Sequence, residues 1–288
     1  MYAITGITGK VGGEVARALL NAGQAVRAVV RDSRKGAAWE TQGCEVSLAD
    51  MNDTAALSAA FRAVAGVFVL LPPIFDPAEG FPETRATVNA LRQALQAARP
   101  EKVVCISTIG AQAKQTSLLT QLSIMEESLG GLPMPITFLR PAWFIENFAW
   151  DVTPARDTGV ISSFLQPLDK LFPMVATADV GRVAAELLQQ EWNGSRVVEL
   201  EGPERVTPND IAAAFAKIFQ HPVRAQAVPR QTWESLFKSQ GMRHPTPRMQ
   251  MLDSFNQGWI NFEHDEASRL KGQVGLEDVL RQLADRSE

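Results

Sequence analysis

The chain reads as an α/β protein: a doubly wound parallel sheet followed by a smaller, mostly helical part. Two observations predict this. Short, continuous apolar runs recur through the first half, as in Val67-Phe68-Val69-Leu70-Leu71 and Val103-Val104-Cys105-Ile106. Runs of that kind suit strands buried on both faces of a parallel sheet. Between them lie segments of helical period, and strand–helix alternation with right-handed crossovers winds such a sheet on both faces.

Each element follows from its own pattern. Tyr2-Ala3-Ile4-Thr5 reads as the first strand. Val11, Val15 and Leu19 then fall on one helix face. Residues 25–30 form the second strand and 45–48 a weak third. Leu57, Phe61 and Val64 mark a helix for which Asp53 or Asn52 would serve as N-cap. The apolar run 67–71 is a strand stopped by Pro72-Pro73, and a long helix is expected from about 78 to 98. Strand 103–106, a helix carrying Leu118, Leu122, Met125 and Leu129, and strand 136–139 complete the alternation. Residues 1–150 are therefore expected to form the sheet domain, and 151–288 the smaller unit. Helix 178–190 and strand 196–200 should return to the sheet. Segments 208–219 and 230–239 read as amphipathic helices, and 243–262 is richer in Pro, Met, Asn and aromatics.

Composition narrows the function classes. The 288 residues are 45% hydrophobic and 21% charged, ordinary values for a globular protein, and allow one large domain or two smaller ones. Lys plus Arg number 28 against 32 Asp plus Glu, a net charge of −4, which argues against a general electrostatic grip on nucleic acid. No apolar run reaches the ~18 residues of a membrane span. Met1-Tyr2-Ala3-Ile4 leads straight into a Gly-rich turn without a basic n-region, so a cytoplasmic location is expected. Cys44 and Cys105 read as reduced, buried thiols. His221, His244 and His264 lack metal-ligand spacing, and no protein metal site is expected.

The strongest motif is Thr5-Gly6-Ile7-Thr8-Gly9-Lys10-Val11-Gly12-Gly13. It follows the first strand and opens the first helix. Glycines at 6, 9 and 12 permit a tight turn, close approach of backbone to a pyrophosphate, and close helix–strand packing; the helix N-terminus offers free N–H groups to phosphate. A Gly-rich turn without a ligand is the plainer alternative. Its place at a strand–turn–helix junction, with further βα units behind it, makes it a Rossmann dinucleotide fingerprint with Gly6, Thr8, Gly9, Lys10, Val11 and Gly12 at the cofactor.

The end of the second strand chooses between cofactors. An acidic residue there binds the ribose 2′-OH of NAD, whereas Arg accommodates the 2′-phosphate of NADP. Arg31 stands at the strand end with Arg34 and Lys35 just beyond, three cations around one loop. NADP(H) is the expected cofactor. Asp32, one residue late and outnumbered, leaves NAD(H) as the second choice, and a solvated basic turn is the structural alternative. Asp50, at the end of the third strand, could stand by the adenine amino group or cap the following helix, and the two roles are compatible.

These residues resemble the NmrA-like family of atypical short-chain dehydrogenase/reductases, over almost the whole chain. The likeness rests on the Gly motif, on Arg31, and on Leu139-Arg140-Pro141-Ala142-Trp143-Phe144-Ile145-Glu146-Asn147. It continues through Ala178-Asp179-Val180-Gly181 and Glu199-Leu200-Glu201-Gly202-Pro203. The Gly motif is shared by the superfamily; the Arg-Pro…Phe…Glu-Asn segment and the late Gly-Pro are more specific. The branch it is most similar to is that of bacterial NADPH-dependent quinone and triphenylmethane reductases. The family also holds redox-sensing transcriptional co-regulators that bind cofactor without known turnover.

One departure is plain in the residues. Typical short-chain reductases use a Tyr-x-x-x-Lys pair in which Lys lowers the Tyr pKa for general acid work. The single tyrosine here, Tyr2, precedes the Gly turn, and 115–129 holds no Tyr, Lys or His; the Lys position falls at Leu122. Ligands of doubly wound sheets bind outside the carboxyl ends of the strands. Those ends offer Leu71, Pro72, Ser107 and Thr108 to the cofactor, and Pro73, Ile109, Trp143, Phe144 and Asn147 to a substrate. Trp143 and Phe144 could equally be junction packing, and Ser107 a strand-end cap.

The resemblance implies an NADPH-dependent oxidoreductase that passes hydride to a flat, conjugated acceptor, an aromatic or quinonoid molecule such as a quinone or dye. Such a transfer does not require a strong protein acid, and the sequence points to no particular catalytic residue. The alternative is a non-catalytic NADP(H) sensor with a regulatory protein partner, in keeping with the empty Tyr-Lys position. Direct contact with nucleic acid or a membrane is not expected.

Overall fold

The computed structural model describes residues 1–286; the last two residues of the expected unit 151–288 lie outside the described residues. The chain runs through β1 (Tyr2–Ile4), α1 (Lys10–Asn21), β2 (Val26–Val30), α2 (Ser33–Glu40), β3 (Glu45–Leu48), α3 (Thr54–Ala60), β4 (Gly66–Val69), α4 (Pro82–Ala98), β5 (Val103–Ile106), α5 (Thr120–Leu129) and β6 (Ile136–Pro141). It continues through β7 (Trp143–Phe144), a 3-10 turn, α6 (Val152–Thr158), β8 (Val160–Ser163), β9 (Met174–Val175), α7 (Thr177–Leu188) and β10 (Ser195–Glu201). The last part holds α8 (Pro208–Phe219), β11 (Arg224–Ala227), α9 (Trp233–Ser239), α10 (Thr246–Gln257), β12 (Leu270–Lys271) and α11 (Leu276–Asp285).

Eight strands form one sheet in the order β12-β10-β6-β5-β4-β1-β2-β3, every neighbouring pair parallel. The order reverses between β1 and β4, so the crevice of a doubly wound sheet opens at their carboxyl ends. β4 and β5 are buried along their whole length, as their unbroken apolar runs require. Two buried clusters cover the faces. The larger takes in Ile4, Val15 and Leu19 with Phe215, Trp233, Phe255 and Leu280, so residues beyond 150 share a core with the sheet. The other packs Leu57, Phe61, Leu91 and Leu95 on Val67, Val69 and Cys105. β10 and β12, both from beyond residue 150, extend the sheet past β6.

The differences from sequence expectation have local causes. The basic stretch after β2 is a helix, not a loop. Asp32 caps α2 by accepting the Arg34 N–H at 2.9 Å, which puts Arg34 and Lys35 in its first turn. Of the expected caps of α3, Asp53 is the one that serves, accepting the Ala56 N–H at 3.0 Å, and Asn52 and Asp50 do not. Segment 230–239 divides into a 3-10 turn, Arg230–Thr232, and α9. The Pro- and Met-rich stretch 243–262 contains α10, started by Pro245 and Pro247 and ended by Gly258 at φ +87°. The Trp143-Phe144 dipeptide pairs with Met174–Val175 as a small separate sheet.

Candidate cofactor and acceptor site

The Gly turn occupies the β1–β4 crevice, held from beneath by Thr5. Its buried hydroxyl donates to the Phe68 carbonyl at 3.1 Å and accepts the Leu70 N–H at 2.9 Å, fastening the ends of β1 and β4 together. Gly6 takes φ +63°, a conformation that side chains rarely adopt. A Cβ on Gly12 would overlap the Gly6 carbonyl, within 2.6 Å of its carbon, so that α1 can pack against the turn only with glycine there. Gly9 is exposed, and a Cβ on it would meet only the Gly6 oxygen, at 3.3 Å. Gly9 is also the N-cap of α1 and offers no side-chain cap. The first N–H groups of that helix, at Lys10, Val11 and Gly12, therefore keep the anion-binding potential of a helix N-terminus. Thr8 and Lys10 are exposed beside them, while Val11 turns into the core.

Beyond the turn, Thr8, Val30, Arg31, Asp32 and Lys35 line a cavity of about 320 Å³. Arg31 also borders a second cavity of about 570 Å³, with Asp50, Met51, Asn52, Pro72, Ile74 and residues of α4. Arg31 makes no ion pair among the described residues. Arg34 does not line either cavity. Its guanidinium, 89% exposed, is bonded twice to Asp32, at 2.9 and 3.1 Å. The side chain and backbone N–H of Arg34 hold the Asp32 carboxyl below the usual range, against weak desolvation and with help from Lys35. Asp32 is thus occupied as a cap, and the three expected cations reduce to two at the cavity. Asp50 is exposed there and accepts the Asn52 N–H at 2.9 Å.

This setting fits a phosphorylated dinucleotide. It offers a glycine cradle, uncapped N–H groups and two cations beside a cavity next to the second strand. The residues expected to hold it would be Gly6, Thr8, Gly9, Lys10, Gly12, Arg31 and Lys35, with Val11 through its backbone N–H.

At the other strand ends the expectations divide. Pro72 borders the larger cavity and Pro73 is exposed, while Leu71 packs against the second core cluster. Ile109, expected in a substrate pocket, is 1% exposed and lies in the core, because Gly110 lets the chain turn inward against Ile260. Ser107 is also buried. Its hydroxyl donates to Glu126, whose carboxylate forms a two-pronged pair with Arg140 at 2.9 and 2.6 Å. Arg140 further binds Glu263 at 2.6 Å and Gln112 at 3.2 Å. Ser107 is thereby engaged within the protein, and Thr108 donates to the Ile109 carbonyl at 3.2 Å. Glu126 stands one helical turn beyond Leu122, so the face where a Tyr-Lys pair would lie carries a buried ion pair instead.

Trp143 and Phe144 are half-buried at the junction of the sheet with the later helices. The Trp143 ring meets Phe255 of α10 edge-on, centroids 5.2 Å apart, and its indole N–H is buried without a partner. Asn147 is exposed on the 3-10 turn, and its neighbour Glu146 accepts the Thr177 N–H and hydroxyl at 2.8 and 2.6 Å. Sequence reasoning missed the Glu126–Arg140 pair, whose members lie on separate elements with no local signal.

Among the described residues, no cluster of His, Cys, Asp and Glu could hold a metal ion, and no helix is long and apolar enough to cross a membrane. Burial pushes the Cys44 thiol up, and burial with the Glu126 charge does so for Cys105, so both stay protonated.

Known proteins resemble this chain in sequence and in fold. An NAD(P)H azoreductase of Xenophilus azovorans is 26% identical over 244 residues, 84% of this chain and 82% of that protein. Quinone oxidoreductase 2 of Escherichia coli is 28% identical over the same length and shares. The solved structure of Citrobacter sp. triphenylmethane reductase complexed with NADP(H) superposes with a TM-score of 0.81 at 21% identity, covering 98% of this chain and 99% of that one. The model of the NmrA-like family matches residues 2–270, and with that span the chain belongs to the NmrA-like family.

Proposed function

We propose that the chain is an NADPH-dependent oxidoreductase that transfers hydride to a flat, conjugated acceptor of the quinone or dye class, without a Tyr-Lys pair. The observation that carries this reading is the cavity beside the Gly turn, where Arg31 and Lys35 stand next to the α1 N-terminus. The names of the azo and quinone reductase relatives support the acceptor class.

The residues would divide the work. The uncapped N–H groups of Lys10, Val11 and Gly12 bind the pyrophosphate, with the glycines permitting its approach. Arg31 and Lys35 bind the 2′-phosphate by charge-assisted hydrogen bonds. Arg34 neutralises Asp32, which would otherwise repel that phosphate. When bound, the reduced nicotinamide supplies the hydride. Pro73, Trp143 and Phe144 offer an apolar and aromatic wall on which a planar acceptor can stack, and Asn147 a polar point at its edge. A cationic acceptor is neutralised by the hydride alone, and a quinone takes its proton from water. Glu126 and Arg140 are spent on each other, so neither serves as the acid.

The test is steady turnover of NADPH against a panel of quinones and azo and triphenylmethane dyes, in wild type and Tyr2→Phe. Turnover unchanged by Tyr2→Phe is the expected result. General acid catalysis is worth about 10²–10⁴-fold, so a comparable loss in that variant would refute the mechanism. Tight NADPH binding with no turnover of any acceptor would replace the reductase by a cofactor sensor.

A further inference from the structure

The acceptor side of the site is built by a segment far along the chain. α10 brings Phe255 to Trp143. Past its end, Ile260 packs on Gly110, and the Asn261 carbonyl accepts from Gln112 at 2.9 Å. At its start, the Pro247 carbonyl accepts the Leu118 N–H at 2.8 Å. Residues 242–262 thus lie across the loops that follow β5, with the start of α10 directed toward the loop that follows β4.

Asp76 bridges the two. Asp76 accepts the His244 N–H at 2.6 Å with one oxygen and the Arg243 N–H at 2.9 Å with the other. The Arg243 guanidinium and His244 imidazole stand beside it, at 3.8 and 3.7 Å. Desolvation pushes its carboxyl up, but those N–H groups and the neighbouring charges hold it below the usual range. The loop bearing Asp76 is itself part of the cofactor side. Pro72 and Ile74 line the cavity shared with Arg31 and Asp50, and the Ile74 carbonyl is held by Gln121 at 3.0 Å. Asp76 and its partners are separated by 167 and 168 residues; around it Phe75, Glu79 and Gly80 are exposed and Pro77 is buried.

We propose that Asp76 is a positioning residue of the hydride-transfer site: it seats the turn before α10 on the β4 loop and so keeps the acceptor wall in register with the cofactor crevice. The inference rests on the reductase reading above. A two-oxygen clasp on successive backbone N–H groups fixes direction as well as distance. Ordering of the β4 loop by bound cofactor is then passed to α10, as coupling between two sites through one shared contact.

Hydrogen exchange of the full chain, with and without NADPH, tests this without reference to the acceptor. In the wild type, NADPH is expected to slow exchange in three regions: 6–12, 72–78 and 242–252. In Asp76→Ala, protection of 6–12 should persist, while the NADPH-induced protection of 242–252 disappears. Asp76→Asn, which keeps one acceptor oxygen, should be intermediate and covers the case in which Asp76→Ala folds poorly. With 1,4-naphthoquinone as acceptor, the KM of Asp76→Asn should rise about five- to tenfold, with NADPH affinity within about twofold of wild type. Undiminished protection of 242–252 in both variants, or an equal loss of protection at 6–12 and 242–252, overturns the clasp. If NADPH leaves 6–12 unprotected in the wild type, the cofactor reading fails first, and the inference with it.

Discussion

Arg31→Ala should cost NADPH far more than NADH, and the structure sets the size of the difference. Arg31 lines both cavities beside the second strand and has no carboxylate partner to release among the described residues. On the proposed assignment its removal would delete a charge-assisted hydrogen bond to the 2′-phosphate, worth roughly 1.5–3 kcal/mol. At about 1.4 kcal/mol per decade, that is a loss of about 10- to 150-fold in NADPH affinity. NADH has no 2′-phosphate, and its affinity should move less than about threefold. Arg34→Ala separates this account from a general charge effect. The Arg34 guanidinium is 89% exposed and already bonded to Asp32, so its loss should weaken NADPH less than Arg31→Ala does. Titrations of both nucleotides against all three proteins, at one ionic strength because exposed charges are screened, give the comparison. Equal losses for NADPH and NADH in Arg31→Ala would refute the 2′-phosphate assignment, as would a larger effect from Arg34 than from Arg31.

Gly12→Ala should lose cofactor binding and about 1–3 kcal/mol of stability, since its methyl would overlap the Gly6 backbone, whereas Gly9→Ala should stay as stable as wild type; denaturant melts with nucleotide titrations check both. Glu126→Ala should destabilise by about 3–5 kcal/mol in urea unfolding, because it leaves the Arg140 charge, 5% exposed, without its main partner. Asp151 supplies a pH test: desolvation raises its carboxyl from 3.8 to about 7 in the fold. The native state therefore holds a proton that the unfolded chain has released between pH 4 and 7, so this group makes stability fall as pH rises through that window and level off above it. At about 1.36 kcal/mol per pH unit, the difference reaches about 4 kcal/mol, and roughly half of that once the screening of a half-buried side chain is counted. Asp151→Asn should accordingly gain stability over wild type at pH 8 and match it at pH 4, and equal melts at both pH values would rule the effect out.

What the sequence made legible was local chemistry. The strands of the sheet announce themselves because burial on both faces leaves no room for polar residues, as in Val103–Ile106. α8 was legible from the apolar spacing of Ile211, Phe215, Ile218 and Phe219, and the structure starts it at a reciprocal Thr207–Asp210 capping box. The Gly turn is legible for the same reason, since each glycine answers a demand of the turn itself. α2 was hidden because its cap, Asp32, lies among residues that read as a cofactor's charge cluster, and Gly36 weakens its helical signal. α10 was hidden by prolines and methionines that suggest a loop.

The same distinction decides the site. Arg31, Lys35 and the glycines lie on one strand–turn–helix unit and its neighbour, where sequence spacing approximates spatial distance. The side proposed for the acceptor is assembled from contacts that spacing does not encode. Glu126 meets Arg140 across two elements, Glu263 reaches Arg140 over 123 residues, and Asp76 meets Arg243 over 167. Ser107 shows the consequence. Its place at a strand end suggested a group facing the cofactor, but the direction of its hydroxyl depends on a carboxylate 19 residues later, itself held by Arg140. The cofactor is thus readable from a motif. On the proposed reading the acceptor would meet a wall held by the Trp143–Phe255 contact and the Asp76 clasp, and both contacts join distant stretches of the chain rather than lying in any short one.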